Sequence, residues 1–543
     1  MTAPMDVFAV VKIARLLWMY AAGPLLLVAA IVLTIRLKGP QFRKLGAGFR
    51  ALRSRGKDEG LTSPGLTTAL ASAGQIGAAA AVGAGTAIAL GGPGVIPYLW
   101  IFCLVMAPLR YAETLFAGTD APGGGDASES GSLSRRLLRI GGRWRFAGML
   151  LALCALVATF AYGGVMQSMA LADATEPLLP GSSTVLVLGA AGVGGLLAAL
   201  GKRTLSIAGW LGVLGLTVLL VACIWAIGSA PGASFAALGS AFGAAFDGSP
   251  RYEAFGGALV GEVTFAALLY LLPATAAPTG IDGALQSTST GGVRAQAAAS
   301  LLGPLGVAVL GTLLCMAMVG TGAYGSQVET RLPLPEAMVL KVPAASSAER
   351  FEEDRWFSGY MRIRAGQARN PAITYNTSRG SIEDSVLLYN GRAADIALHV
   401  DDGQAFRILR NTTESTLSEV GPSNLWRVEV HGKMPPRGGG LLIATAQSSG
   451  GDLAARILLA ALLALGAAAF ALFGLGASRS LPKSVPAPLR ALLCFVPLAG
   501  ATVALVTPFL GLSALASIAA AVFAALAALV LLLRSAEIAA LDR

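Results

Sequence analysis

The sequence predicts an all-α polytopic membrane protein of about eleven transmembrane helices, with one small β-rich extracytoplasmic domain set between two groups of helices. Three observations lead there. Only 13% of the 543 residues are charged and 55% are hydrophobic, with a mean hydropathy of +0.68, whereas a soluble chain carries roughly 25% charged residues. The apolar residues form near-continuous runs of about 20, the length a helix needs to satisfy its own backbone across hydrocarbon, and not the alternating strands of a barrel. A single long segment, from about Tyr324 to Asp452, is polar and breaks this pattern.

The first apolar run is Leu16–Leu33. Its heavier basic flank follows it, with Arg36, Lys38, Arg43, Lys44, Arg50, Arg53, Arg55 and Lys57. A cleaved signal peptide has its charge first, so this run is expected to stay as a helix with its N-terminus outside. Further runs lie at about Leu66–Leu90, Val95–Ala117, Phe146–Ala172, Ser183–Leu200, Leu205–Ile227, Phe255–Pro273, Ala297–Val319, Leu453–Leu475, Leu489–Val506 and Leu510–Leu533. If these helices alternate, the loops bearing Arg135, Arg136, Arg139 and Arg143, then Lys202 and Arg203, Arg294, and Arg479, Lys483 and Arg490 all fall on one side, with Arg534 after the last helix. The positive-inside rule makes that side cytoplasmic. The expectation is a multi-pass protein of the cell (inner) membrane with an outer N-terminus and a cytoplasmic C-terminus.

The net charge of +10 is accounted for by these helix ends, so the lipid bilayer is the expected partner and nucleic acid is not. The 68 glycines suit close helix packing in a membrane. All five cysteines lie in or at apolar runs, so the polar segment has no disulfide, and no Cys/His spacing suggests zinc. Within the polar segment, Tyr360–Arg364, Ile396–Val400 and Leu425–Val430 alternate apolar and polar residues as half-buried strands do, and Asn390-Gly391 and Asp402-Gly403 are hairpin-type turns. The chain therefore divides into helices over 1–323, a β-rich domain over 324–452 and helices over 453–543.

Four segments resemble the alanine or glycine:cation symporter family, the sodium:alanine symporters. Leu33-Thr-Ile-Arg-Leu-Lys-Gly-Pro-Gln-Phe-Arg43 is similar to the family's T-I-R-L-x-x-x-Q-F-R, and Thr86-Ala-Ile-Ala-Leu-Gly-Gly-Pro-Gly94 matches a family string almost verbatim. Arg110-Tyr-Ala-Glu113 is similar to K-Y-x-E, and Phe160-Ala-Tyr-Gly-Gly-Val-Met-Gln-Ser-Met-Ala-Leu-Ala-Asp-Ala174 aligns without gaps to F-G-x-G-N-M-V-Q-S-N-S-I-A-D-A. Order and spacing agree over about residues 15 to 320. The resemblance implies an inverted-repeat core of ten helices plus one extra helix, and cation-driven uptake of small neutral amino acids.

The chain also departs from the family. G-T-G-N-I in the second helix is replaced within Gly74-Gln-Ile-Gly-Ala-Ala-Ala-Ala-Val-Gly-Ala-Gly85. Counting forward from Thr68-Ala-Leu-Ala71 sets Gln75-Ile76-Gly77 against G-T-G; by either count the family's Asn becomes Ala. The family's F-S-N-E-A-G-L-G-S after the seventh helix has no match in Leu271-Leu-Pro-Ala-Thr-Ala-Ala-Pro-Thr-Gly-Ile-Asp282, and the polar domain is an insertion relative to the family.

An amino-acid symporter must bind a carboxylate, an ammonium and a dehydrated cation within the membrane, and broken helices expose the N–H and C=O groups that do so. Gly74, Gly77, Gly83 and Gly85 are candidates for permitting a break, or for tight helix packing. The resemblance makes Gln167 a substrate contact, since a neutral amide can both donate and accept; an interhelical hydrogen bond is the other reading. The substrate-site candidates are thus Gln167, Gly74, Gln75, Gly77 and Gly83. Glu262 sits inside an apolar run, where a carboxylate costs at least about 2.5 kcal/mol, and is the candidate cation-coupling residue for Na⁺ or H⁺; a place at the outer interface is its alternative. Glu113 and Asp173 lie near helix ends and are expected at interfaces, and Gly91-Gly-Pro-Gly94 is expected as a tight interhelical turn. No nucleophile–base pair or resident cofactor site is apparent, which argues against an enzyme. Two functions stay open: a cation-coupled transporter of small neutral amino acids, and a transporter-derived scaffold or receptor that no longer transports, with the 324–452 domain binding a protein partner.

Overall fold

The computed structural model describes residues 7–53, 67–68, 71, 76–118, 132–200, 202–246, 292–334, 337–341, 357–368, 373–377, 380–401, 404–411, 417–420, 428–481, 484–506 and 511–542. The chain divides into two compact units, one from Met1–Val10, Tyr324–Pro436 and Pro508–Leu510 and the other from Val11–Ala323, Arg437–Thr507 and Gly511–Arg543.

The larger unit is helical. Its helices are α1 (Lys12–Arg36), α2 (Leu45–Arg53), α3 (Ala78–Gly91), α4 (Val95–Gly118), α5 (Leu133–Ile140), α6 (Arg143–Thr175), α7 (Ser183–Ala199), α8 (Thr204–Ser229), α9 (Pro231–Phe246), α10 (Val293–Gly320), α11 (Gly438–Ser480), α12 (Ala487–Val506), α13 (Leu512–Leu533) and α14 (Ser535–Asp542). Among the described residues eight of these are long and apolar enough to cross a membrane, and α3 and α7 are shorter apolar helices. The expected run Phe255–Pro273 lies outside the described residues; each other expected run overlaps one of these helices.

Three differences from the run-by-run expectation have physical causes. The run Leu66–Leu90 is not one helix, because Gly77 adopts an extended backbone (φ −59°, ψ −178°) immediately before α3. Helix α11 starts at Gly438, well before the apolar run at Leu453, and bends at Gly451. At Gly451 the backbone leaves helical geometry with a positive φ of 69°, open to glycine without a Cβ penalty, so two helical segments meet there at a kink; the polar stretch before the run is helical, and strand structure ends by Pro436. Helix α9 is an apolar helix that the reading by runs does not separate. Its Ser234, Ala237, Ala241 and Ala245 recur at helical spacing and are buried. The Tyr98 hydroxyl of α4 donates to the Ala245 carbonyl at 2.8 Å.

Two helices contain a π-helical stretch: Trp18–Ala22 within α1 and Thr159–Met166 within α6. Wider turns of this kind frequently mark functional positions. The first buries Trp18, whose indole N–H donates to Ser517 Oγ of α13 at 3.0 Å. The second packs on α12 and α11 through Gly164 and Gly163. A Cβ at Gly164 would fall 2.7 Å from Gly500 Cα and from the Pro497 carbonyl oxygen, and one at Gly163 would fall 2.6 Å from Phe473 Cβ, so the close approach requires glycine at both.

The smaller unit holds two antiparallel sheets. Strands β1 (Val328–Pro333), β2 (Met338–Lys341), β5 (Ile373–Thr377), β6 (Gly380–Tyr389), β7 (Arg392–Ala393) and β11 (Val428–Met434) form one, in the order β1-β11-β6-β5-β2 with β7 beside β6. Strands β3 (Gly359–Arg364), β4 (Gln367–Ala368), β8 (Ile396–Asp401), β9 (Gln404–Asn411) and β10 (Leu417–Val420) form the other, in the order β10-β9-β8-β3-β4. Alternate residues such as Met361, Ile363, Leu398, Val400, Val428 and Val430 make one core, as period-two patterning requires. The Asn390-Gly391 turn joins β6 to β7 with positive φ at both residues (51° and 77°), which a primed hairpin turn demands. Asp402-Gly403 lies outside the described residues; its neighbours Asp401 and Gln404 pair directly.

Candidate functional site

Helix α3 begins inside the helical unit and not at its surface: Ile76 and every residue from Ala78 to Ala84 are buried. A helix start leaves backbone N–H groups without intrahelical acceptors. Those of Ala80 and Ala81 reach the Gly77 carbonyl at 3.0 and 3.2 Å. Gly77, the cap residue, has no side chain to serve Ala79. That N–H instead donates to Oε1 of Gln167, at 3.0 Å, from α6.

Gln167 is fully buried and directly follows the π-helical stretch Thr159–Met166. With Oε1 committed to α3, its amide Nε2 has no hydrogen-bond partner among the described residues, and neither do the buried hydroxyls of Ser168 and Thr159. Buried polar groups are ordinarily satisfied. The arrangement therefore offers a donor amide on a side chain that caps the positive end of a helix dipole, a setting that favours a carboxylate.

The other expected site residues fall differently. Gly77 is at the helix start, as a break requires. Gly83 lies inside α3, helical and buried, away from the break. Gly85 is a close-packing glycine, since a Cβ there would sit 2.6 Å from the Gly438 carbonyl oxygen. Gly74, Gln75 and Glu262 lie outside the described residues.

Of the two carboxylates expected at interfaces, Glu113 is buried and Asp173 is exposed near the end of α6. Glu113 is wholly buried with Arg110, and Arg110 Nη1 lies 4.0 Å from Glu113 Oε2, one helical turn away on α4. The apolar length of α4 conceals this, because its last turns are covered by α10, α5 and α14. Asp173 is exposed on one side, while its Oδ2 accepts the Gly439 N–H at the start of α11, at 2.6 Å. Gly92 takes a positive φ of 69° in the expected turn between α3 and α4. Sequence reasoning could not find Ala79, because a backbone N–H carries no residue signature.

A model of the sodium:alanine symporter family matches residues 5–317. The chain belongs to that family. As a family member it is 30% identical over 253 residues to the sodium/alanine symporter AgcS of Methanococcus maripaludis, an overlap of 44% of this chain and 53% of that protein. It is 36% identical over 106 residues to the probable sodium/glutamine symporter GlnT of Bacillus subtilis, over 19% of this chain and 22% of that one. The matches thus span about half, or less, of the length of these relatives. A manganese transporter of Eremococcus coleocola, solved with an aromatic bis-isothiourea compound, aligns with 88% of this symporter-family chain and 81% of its own at 13% identity and a TM-score of 0.45. Strands β1–β11 and helices α11–α14 lie beyond the part that matches the family model.

Proposed function

We propose that this family member is a cation-coupled secondary transporter of small neutral amino acids such as alanine or glycine. The observation that carries this reading is the buried Gln167, which holds the start of α3 through Oε1 and keeps an amide donor uncommitted among the described residues. In this reading the substrate carboxylate occupies the N-terminal end of α3 and accepts a hydrogen bond from Gln167 Nε2. A charge-assisted bond in a water-excluded site is worth about twice a neutral one. Without the substrate the buried amide is left unsatisfied, which adds to the preference for a bound carboxylate.

Na⁺ or H⁺ is the co-transported ion, and Glu262 is the residue proposed to couple it, as an ionised carboxylate for Na⁺ or as a protonatable one for H⁺. In this reading, which the basic loops support, the C-terminus is cytoplasmic and the N-terminus and the 324–452 domain are outside. Equilibrium binding of tritiated alanine to the purified chain tests the site, with and without Na⁺. Saturable binding that is lost in Gln167→Glu is the expected result.

A further inference from the structure

The segment between α1 and α2 is a second place where the chain presents unspent chemistry. After Arg36 the backbone turns through Lys38 and Gly39, both with positive φ (55° and 68°). It then makes one helical turn, Pro40–Arg43, before α2. Three attachments fix this elbow. Gln41 Nε2 donates to Thr34 Oγ1 of α1 at 3.1 Å. Lys44 Nζ donates to the Tyr111 hydroxyl of α4 at 2.7 Å and pairs with Asp542 of α14. Gly48 and Ala51 are buried, and a Cβ on Gly48 would lie 2.5 Å from the Ala298 carbonyl oxygen of α10.

What these attachments leave outward is a repeated dipeptide, Phe42-Arg43 and Phe49-Arg50. The two phenylalanines are 70% and 51% exposed, and both arginines are exposed. From Arg36 to Arg53 the sequence contains six basic residues and no acidic one. Among the described residues, Lys44 pairs with a carboxylate, that of Asp542 on α14. Exposed aromatic side chains beside arginines, directly after a membrane-length helix, suit the boundary where acyl chains meet headgroups. Their uniform sign fits a negative headgroup.

We propose that this elbow is a binding site for anionic phospholipid, with Phe42 and Phe49 in the acyl boundary and Arg43 and Arg50 on the headgroup phosphate. The rigid attachment to α1, α4 and α10 makes the bound lipid a clamp on three helices of the family-matching part of the chain.

The test uses the full chain in detergent, titrated with phosphatidylglycerol or with phosphatidylcholine, and counts retained lipid by native mass spectrometry. Phosphatidylglycerol should be retained preferentially, and the preference should shrink at high salt. Neutralising each arginine should weaken it about fivefold, so Arg43→Gln with Arg50→Gln should lose about twenty-five-fold. Arg43→Lys with Arg50→Lys keeps the charge and should retain most of the preference, which guards against a folding defect. Arg364→Gln with Arg392→Gln, on exposed strand positions of the other unit, should change nothing. Equal retention of the two lipids would overturn the proposal. So would an equal loss in the control pair, which would indicate net charge alone, or full competition by inorganic phosphate, which would indicate a phosphate site without acyl contact.

Discussion

Oε1 of Gln167 accepts the backbone N–H of Ala79 at 3.0 Å, tying the middle of α6 to the first turn of α3. The oxygen holds the scaffold, and the nitrogen, without a partner among the described residues, is the donor proposed for the substrate. Gln167→Ala removes both. Loss of the cap should cost about 1 kcal/mol of stability, and loss of the donor should weaken alanine binding by roughly ten- to a hundredfold. Gln167→Glu keeps an acceptor for Ala79 while replacing the donor. The new carboxylate is buried at a helix N-terminus, which offsets part of its burial cost; the variant's unfolding temperature should fall no further than that of Gln167→Ala while alanine binding disappears, and the paired melting and binding curves separate the two roles.

The buried pair of Arg110 and Glu113 makes a prediction about stability. Glu113→Ala leaves a guanidinium in a water-excluded site with its carboxylate gone, and should cost about 3–5 kcal/mol. Replacing both residues by methionine removes the charges together and should recover most of that loss. Thermal unfolding in detergent of the single and double variants checks this; a double variant as unstable as Glu113→Ala would show that the pair's charges do not compensate each other.

Residues 324–436 carry their own two sheets and a shared apolar core. Expressed alone, this segment should give a soluble product with a β-type circular dichroism spectrum and a cooperative melt. A random-coil spectrum would mean that the strands depend on the rest of the chain.

Helix positions and strand patterning were legible because lipid imposes apolar length and a half-buried sheet imposes alternation. Glycine positions were only partly so. Gly77 marks a real helix start and Gly83 a helix interior, yet both read alike in an alanine-rich run, since the decision rests on which neighbour receives the freed N–H groups. Position along a helix does not give burial, so Glu113 five residues from the end of α4 reads as interfacial in the sequence, and its burial comes from the helices packed around α4. Gln167 was found through its family motif, whereas its partner Ala79 contributes a main-chain group that any residue but proline would supply.

The residue proposed for coupling is Glu262, an acidic residue inside an apolar run. Glu262→Gln keeps the shape and removes the charge. It should abolish gradient-driven uptake while leaving expression and thermal stability near wild type. Uptake by Glu262→Gln equal to wild type under the same gradient would assign coupling to other groups.

The account turns most directly on uptake of radiolabelled alanine into proteoliposomes containing the purified chain, measured with an imposed inward Na⁺ gradient, with an inward proton gradient, and with neither. Accumulation that appears under one of the gradients and is absent without it is the predicted result. No alanine or glycine accumulation under either gradient, with no saturable binding of either amino acid, would contradict the transport reading and leave a transporter-derived scaffold or receptor as the better description.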